Sequence, residues 1–211
     1  MDKIVLTIDD QDIVADKGTT ILEAALQNGI YIPHLCYYPD LKPSGVCRLC
    51  LVEVGGRIVP SCLTPIEQGT MVRTRNPEID KLRRAIVELL IANHHADCRH
   101  CPRTGHCELQ KMMAYLHVST NRMRPLRLAR EELPKDPSNP FFAYDPNRCV
   151  LCGICVRTCE NNQGISALQF IGRGYSTKIA FFGDSSICIS CQECLAKCPV
   201  GALTPKDAQH P

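Results

Sequence analysis

The sequence predicts an α+β protein made of small modules in series, and three observations carry that prediction. Strand-like and helix-like segments alternate through the N-terminal third, the 15 cysteines among 211 residues fall into four separate groups, and the last two groups are the same run, begun at Cys149 and again at Cys188. Trp is absent and aromatic residues make up 5% of the chain. Small modules this poor in large apolar side chains are expected to lean on bound groups for stability.

In chain order, residues 4–8 and 12–15 predict two strands joined by the acidic turn Asp9-Asp10-Gln11. A helix follows, because Thr20 and Glu23 have capping-box spacing, Leu22, Ala25 and Leu26 supply an apolar face, and Gly29 is placed to end it. A loop of prolines, glycine and cysteines covers 33–50, and strands are expected at 51–54, 57–59 and 70–74. Asn76-Pro77 opens a second helix reaching about Asn93, with Ile79, Leu82, Ile86 and Leu90 at helical spacing as its core-facing stripe. Between Val118 and Pro146 the composition turns to Arg122, Arg124, Arg127 and Arg130, then Pro134, Pro137 and Pro140. That stretch reads as a solvated connection or as a docking strap for an acidic partner. Gly172-Arg173-Gly174, between β-prone segments at 167–171 and 177–182, predicts a hairpin. The two cysteine runs are followed by similar tails, Gly164-Ile165-Ser166-Ala167-Leu168 and Val200-Gly201-Ala202-Leu203, so pseudo-two-fold symmetry is expected.

The runs Cys149-x2-Cys152-x2-Cys155-x3-Cys159 and Cys188-x2-Cys191-x2-Cys194-x3-Cys198 have the ligand spacing of a bacterial two-cluster ferredoxin. Two-residue gaps let three thiolates wrap one cluster, and the fourth, after a longer gap, serves the other. One [4Fe-4S] cubane is therefore expected on Cys149, Cys152, Cys155 and Cys198, and another on Cys188, Cys191, Cys194 and Cys159. Pro199 after Cys198 fits that form, and Glu160 after Cys159 departs from it without removing a ligand. Cys36, Cys47, Cys50 and Cys62, spaced Cys-x10-Cys-x2-Cys-x11-Cys, suit a [2Fe-2S] cluster with a longer first gap than the plant type; a structural zinc site is the alternative. The fourth group, Cys98, Cys101 and Cys107, is one ligand short of a cubane, and His94 or His95 just before it is in reach to supply an imidazole. That assignment uses all 15 cysteines. Neutral imidazole in place of a thiolate removes a negative charge and should raise the potential, as histidine does in Rieske centres.

Lysine plus arginine total 24 against 22 acids, which leaves no global field suited to nucleic acid or a membrane surface. No signal-peptide pattern opens the chain and no apolar run is long enough to span a bilayer, so a soluble cytoplasmic protein is expected, with cysteines as metal ligands rather than disulfides. Neither a dinucleotide fingerprint nor a P-loop occurs, and no residue stands out as a catalytic acid, base or nucleophile.

In this order the modules resemble the N-terminal iron-sulfur region of [FeFe]-hydrogenases, of the large iron-sulfur subunit of respiratory complex I, and of some NAD-linked formate dehydrogenases. The resemblance covers essentially the whole chain. It implies a plant-type-like [2Fe-2S] β-grasp domain at 1–76, a small helical [4Fe-4S] segment with one histidine and three cysteine ligands at 77–118, a linker at 119–138, and a 2[4Fe-4S] ferredoxin-like domain at 139–211. It also prefers His94 over His95. The chain ends at Pro211, 13 residues after the last cysteine, so the implied protein is similar to the small diaphorase iron-sulfur subunit of soluble NAD(P)-linked hydrogenases. Such a subunit relays electrons between a flavin- and NAD(P)-binding subunit and a hydrogenase or formate dehydrogenase catalytic subunit, in a hetero-oligomer that in some cases bifurcates electrons. A free-standing polyferredoxin-like carrier and a structural metal-binding protein are the alternatives.

Overall fold

Alternating burial along the first hairpin sets the sheet. In β1 (Lys3–Ile8) and β2 (Gln11–Asp16) Leu6, Ile8, Ile13 and Ala15 point inward, while Val5 and Val14 face out, as the two-residue period of a strand requires. Asp9 and Asp10 form the turn, both at positive φ (47° and 65°), and Gln11 already pairs with Ile8. A two-residue hairpin turn of type I′ needs that left-handed backbone at both positions, which aspartate tolerates better than most residues. The Asp9 carboxylate also accepts from the Thr74 N–H at 2.7 Å and from the Thr74 hydroxyl, which ties the turn to the end of the neighbouring parallel strand at Met71–Arg73.

The computed structural model describes residues 2–206 apart from 96, 120–131, 165, 184 and 189–190. It divides into two compact units, Met1–Tyr37 with Pro43–Val87, and Tyr38–Lys42 with Glu88–Pro211. In the first, α1 (Ile21–Gln27) starts at the expected capping box: Thr20 Oγ1 accepts from the Glu23 N–H at 3.3 Å and Glu23 accepts from the Thr20 N–H at 2.8 Å. Strands β3 (Leu51–Val54), β4 (Arg57–Pro60) and β5 (Met71–Arg73) complete a mixed sheet in the order β2-β1-β5-β3-β4, with β1 and β5 parallel. Leu6, Ile8, Ile21, Leu22, Ile32, Val52 and Val72 form its core, and Cys50 and Cys62 are buried in the same cluster.

The helix α2 (Pro77–Asn93) begins as expected, with Asn76 Oδ1 accepting from the Ile79 N–H at 2.7 Å. Its buried stripe differs from the expected one. Ile79, Arg83, Val87 and Ile91 are each 0% exposed, whereas Leu82 is 41% exposed and Ile86 and Leu90 are only partly covered. The true stripe follows every fourth residue and includes an arginine, so a count of apolar residues alone rotates the helix away from its packed face.

In the second unit α3 (Glu108–Leu116) buries Leu109, Met112 and Leu116. Strand β6 (Phe142–Tyr144) pairs antiparallel with the last strand, β9 (Leu203–Pro205). Between them lie α4 (Ile154–Gln163), the antiparallel hairpin β7 (Leu168–Ile171) and β8 (Lys178–Phe181), and α5 (Glu193–Lys197). The hairpin connection is longer than Gly172-Arg173-Gly174, since it continues through a 3-10 turn at Gly174–Ser176. The arginines of the expected connection lie outside the described residues. Its proline-bearing end is not free: Leu133 exchanges hydrogen bonds with the Asn147 side chain, and Asp136 pairs with Tyr144 through both backbone bonds. The duplicated cysteine runs show local symmetry, because α4 and α5 each begin at a residue in left-handed conformation, Gly153 (φ 71°) and Gln192 (φ 47°). Among the described residues, no helix is long and apolar enough to cross a membrane.

Candidate metal-binding sites

The loop before β3 brings Cys36, Cys47 and Cys50 to Cys62, which lies just beyond β4. Cys36, Cys50 and Cys62 are each 1% exposed. A side chain at Gly45 would collide with Leu63, so the loop closes tightly onto the residue next to Cys62. The backbone is braced as well, since Ser61 gives the Cys50 carbonyl both its N–H (2.9 Å) and its hydroxyl (2.7 Å).

The four thiols interact strongly. Cys36 accepts a hydrogen bond from the Cys47 thiol and is drawn down to about 5, and Cys50 accepts one from Cys62 and is drawn down to about 7. Cys47 and Cys62 are pushed far above the usual thiol range, first by donating to those partners and then by burial. Cys62 also feels the charge of Cys36 and Cys47, which links the two pairs into one group. Four sulfurs so arranged cannot all ionise unless a cation neutralises them, and the donor set fits iron.

In the second unit His94, Cys98, Cys101 and Cys107 line one cavity together with Ile91, Leu109 and Met113. Cys98 opens a 3-10 turn at Cys98–His100, and Cys107 caps α3. Charge on Cys101 and Cys98 raises Cys107 further, after burial has raised it first. His94 is 9% exposed, and among the described residues its Nδ1 is buried without a hydrogen-bond partner. Burial pushes its pKa down to about 4, so the imidazole is neutral, the state in which it ligates a metal. His95 lines the same cavity but is 42% exposed, with Nδ1 2.8 Å from Glu132. His100 is 80% exposed and pairs with Asp97 at 2.8 Å.

The eight remaining cysteines, Cys149, Cys152, Cys155, Cys159, Cys188, Cys191, Cys194 and Cys198, interact with one another through their charges. Cys155 is raised well above the usual thiol value, first by burial and then by the charges of Cys152, Cys149, Cys198 and Cys194. Cys194 is pushed up to about 12, first by burial and then by Cys188, Cys159 and Cys191. Cys159, Cys188, Cys191 and Cys194 line a single cavity closed by Phe142, Thr158 and Leu168. Cys149 and Cys188 each receive a polar side chain that spacing alone does not single out. The Tyr144 hydroxyl donates to Cys149 and accepts from the Ile179 N–H at 3.2 Å. The buried Asn139 amide lies 3.3 Å from Cys188 Sγ, its Oδ1 held by the N–H groups of Phe141 and Phe142. Arg103, next to the His94 group, donates to the carbonyls of Cys198 (2.6 Å) and Ala196 (2.9 Å). Among the described residues no three His, Cys, Asp or Glu side chains converge on one point as a single metal ion would require.

Buried sulfurs gathered in such groups define the class: a cluster-binding iron-sulfur protein. Known families cover the chain in the same order. A 2Fe-2S iron-sulfur cluster binding domain matches residues 1–77, the NADH-ubiquinone oxidoreductase-G iron-sulfur binding region matches 83–122, and a 4Fe-4S dicluster domain matches 148–202. Over 205 residues the chain is 40% identical to the NADH-quinone oxidoreductase G 2 subunit of Rhizobium meliloti (strain 1021), covering 95% of this chain and 24% of the relative. It is 37% identical over 206 residues to NADPH-Fe(3+) oxidoreductase subunit alpha of Geobacter sulfurreducens, covering 96% and 24%. The chain thus spans about a quarter of these relatives' length. A solved structure, an NAD+-reducing [NiFe]-hydrogenase in the H2-reduced state, contains a chain 35% identical with a TM-score of 0.84; the match covers 99% of this chain and 90% of that one. The protein belongs to the family of iron-sulfur subunits that includes this hydrogenase chain and the NADH-quinone oxidoreductase G subunits.

Proposed function

We propose that the protein is a non-catalytic electron relay that holds one [2Fe-2S] cluster and three [4Fe-4S] clusters. Cys36, Cys47, Cys50 and Cys62 hold the first. His94, Cys98, Cys101 and Cys107 hold a cubane, Cys149, Cys152, Cys155 and Cys198 a second, and Cys159, Cys188, Cys191 and Cys194 a third. The clusters supply one-electron carriers; the protein's residues set ligand spacing, exclude water and tune charge. The observation that carries this reading is that Cys159 lines one cavity with Cys188, Cys191 and Cys194 rather than with its own run, and the charge of Cys198 on Cys149 and Cys155 supports the reciprocal assignment. Crossed ligands draw two clusters close together, as a relay needs.

The resemblance to hydrogenase and NAD(P)H-linked chains supports a place between a flavin- and NAD(P)-binding subunit and a hydrogenase or formate dehydrogenase catalytic subunit, in a cytoplasmic hetero-oligomer. His94 as ligand is favoured by its burial and unpartnered Nδ1, against the exposed, Glu132-paired His95.

Anaerobic purification from the native host tests the whole reading. A flavoprotein and a catalytic subunit are expected to co-purify stoichiometrically, with iron and sulfide matching four clusters. A brown, reducible chain that emerges alone overturns the subunit assignment in favour of a diffusible carrier. For the histidine, His94→Cys should retain the cubane at a lower potential, because a negative charge is added, and His95→Ala should leave it intact. Loss of that cluster's EPR signal in His95→Ala alone would reverse the assignment.

A further inference from the structure

Arg83 is 0% exposed, an arginine wholly inside the first unit. Its Nε donates to the Leu49 carbonyl at 3.0 Å and its Nη2 to the Leu51 carbonyl at 2.5 Å. Those carbonyls flank Cys50, whose own carbonyl is held by Ser61. Three consecutive carbonyls around one thiolate are thereby fixed, two of them by a single planar fork that lysine cannot reproduce.

The carboxylate opposite this arginine is shared. Asp80 Oδ1 lies 3.8 Å from Arg83 Nη1, but Oδ2 of the same carboxylate is taken by Arg75 at 2.7 Å. Two guanidinium groups thus face one carboxylate. A buried charge is costly unless paired and hydrogen-bonded. If satisfying two carbonyls were its whole role, a neutral donor would serve at lower desolvation cost. Beside a site that gains an electron on reduction, a fixed positive charge has a further effect, because it stabilises the reduced state in a medium that screens weakly.

We propose that Arg83 is a positioning residue for the two-iron site, fixing the backbone on both sides of Cys50 and biasing the site toward reduction. This rests on the reading of Cys36, Cys47, Cys50 and Cys62 as the [2Fe-2S] ligands. The effect needs no proton movement, and Asp80 moderates it.

EPR-monitored redox titration of the full chain tests the proposal. Arg83→Gln, which keeps a neutral donor, is expected to make reduction of the two-iron signal about tenfold less favourable, equivalent to about 59 mV more negative for one electron. Arg83→Lys, which keeps the charge and loses the fork, is expected to shift less. Asp80→Asn, at a residue with 14% side-chain exposure, should move the potential the opposite way, since it removes the moderating charge. A merely structural role predicts no opposed pair of shifts. Should Arg83→Gln fail to assemble the cluster, the sign of the Asp80→Asn shift decides: a positive shift supports the proposal, and an unmoved potential overturns it. If the wild-type chain gives no two-iron signal, the ligand assignment itself fails, a result distinct from a signal whose potential ignores both substitutions.

Discussion

Around Cys36, Cys47, Cys50 and Cys62 the protein surrounds sulfur with a continuous apolar cluster, while from Cys149 to Cys198 the cysteines are set among short helices and a smaller group of buried apolar residues, Phe142, Ile154, Leu168, Ile179, Val200 and Leu203. In the first unit Cys50 and Cys62 sit in a continuous cluster with Leu6, Ile8, Ile21, Leu22, Val52 and Val72. In the second, one cavity is lined by Cys159, Cys188, Cys191 and Cys194 with only Phe142 and Leu168 as large apolar neighbours. Its helices are short as well, α4 having 10 residues and α5 five, too few to be stable without tertiary support. The difference teaches that the same ligand chemistry can decorate a fold or constitute it. A module with a large apolar core positions its thiols in advance, whereas a module with a smaller one and many thiols is expected to depend more on the metal to offset ordering and desolvation.

The largest expected effect follows directly. When iron is stripped anaerobically from the intact chain, amides of β1, β2 and α1 should keep their protection against hydrogen exchange, and those of α4 and α5 should lose theirs. Equal loss in both regions would break the contrast and make the whole chain metal-dependent.

A narrower test compares single ligands. Cys62→Ser should remove the two-iron EPR signal and leave the thermal unfolding of the second unit unchanged. Cys198→Ser should cost one cubane and also loosen the neighbouring site, because Cys198 is the C-cap of α5 and its carbonyl holds Arg103. Iron content and melting profiles distinguish the two. If both substitutions prove purely local, the second unit has more independent packing than its cavity lining suggests.

Much of this was legible in the sequence because spacing there reflects geometry directly. The capping box at Thr20 and Glu23, the Asn76 cap and the strand limits of β3 are short-range features, and the chain folds them as local rules require. The placement of Cys159 in one cavity with Cys188, Cys191 and Cys194 agrees with the expectation that the residue after a three-residue gap serves the other run. Tyr144 and Asn139 escaped notice because they reach sulfurs through folding rather than spacing, Asn139 lying 49 residues from Cys188. Helix α3 was missed although Leu109, Met112 and Leu116 recur at helical intervals; the adjacent cysteines are the stronger signal in that stretch. Arg83 had the most misleading signal, since hydropathy puts arginine outside and only its four-residue register with Ile79, Val87 and Ile91 hints at burial.

The smallest expected effect gives the sharpest test of independence. Thr20→Ala removes one half of the capping box, the acceptor for the Glu23 N–H, and should cost about 1 kcal/mol in the unfolding of the first unit. Thr20→Ser should restore most of that loss. Because the apolar core rather than iron is expected to hold α1 in place, the loss should be the same in iron-loaded and iron-stripped protein and absent from the second unit's transition, as measured by denaturant titration followed by circular dichroism. A loss appearing equally in both transitions would mean that the two units unfold as one cooperative body. The hydrocarbon-lined site would then owe its order to the same metal that holds the other.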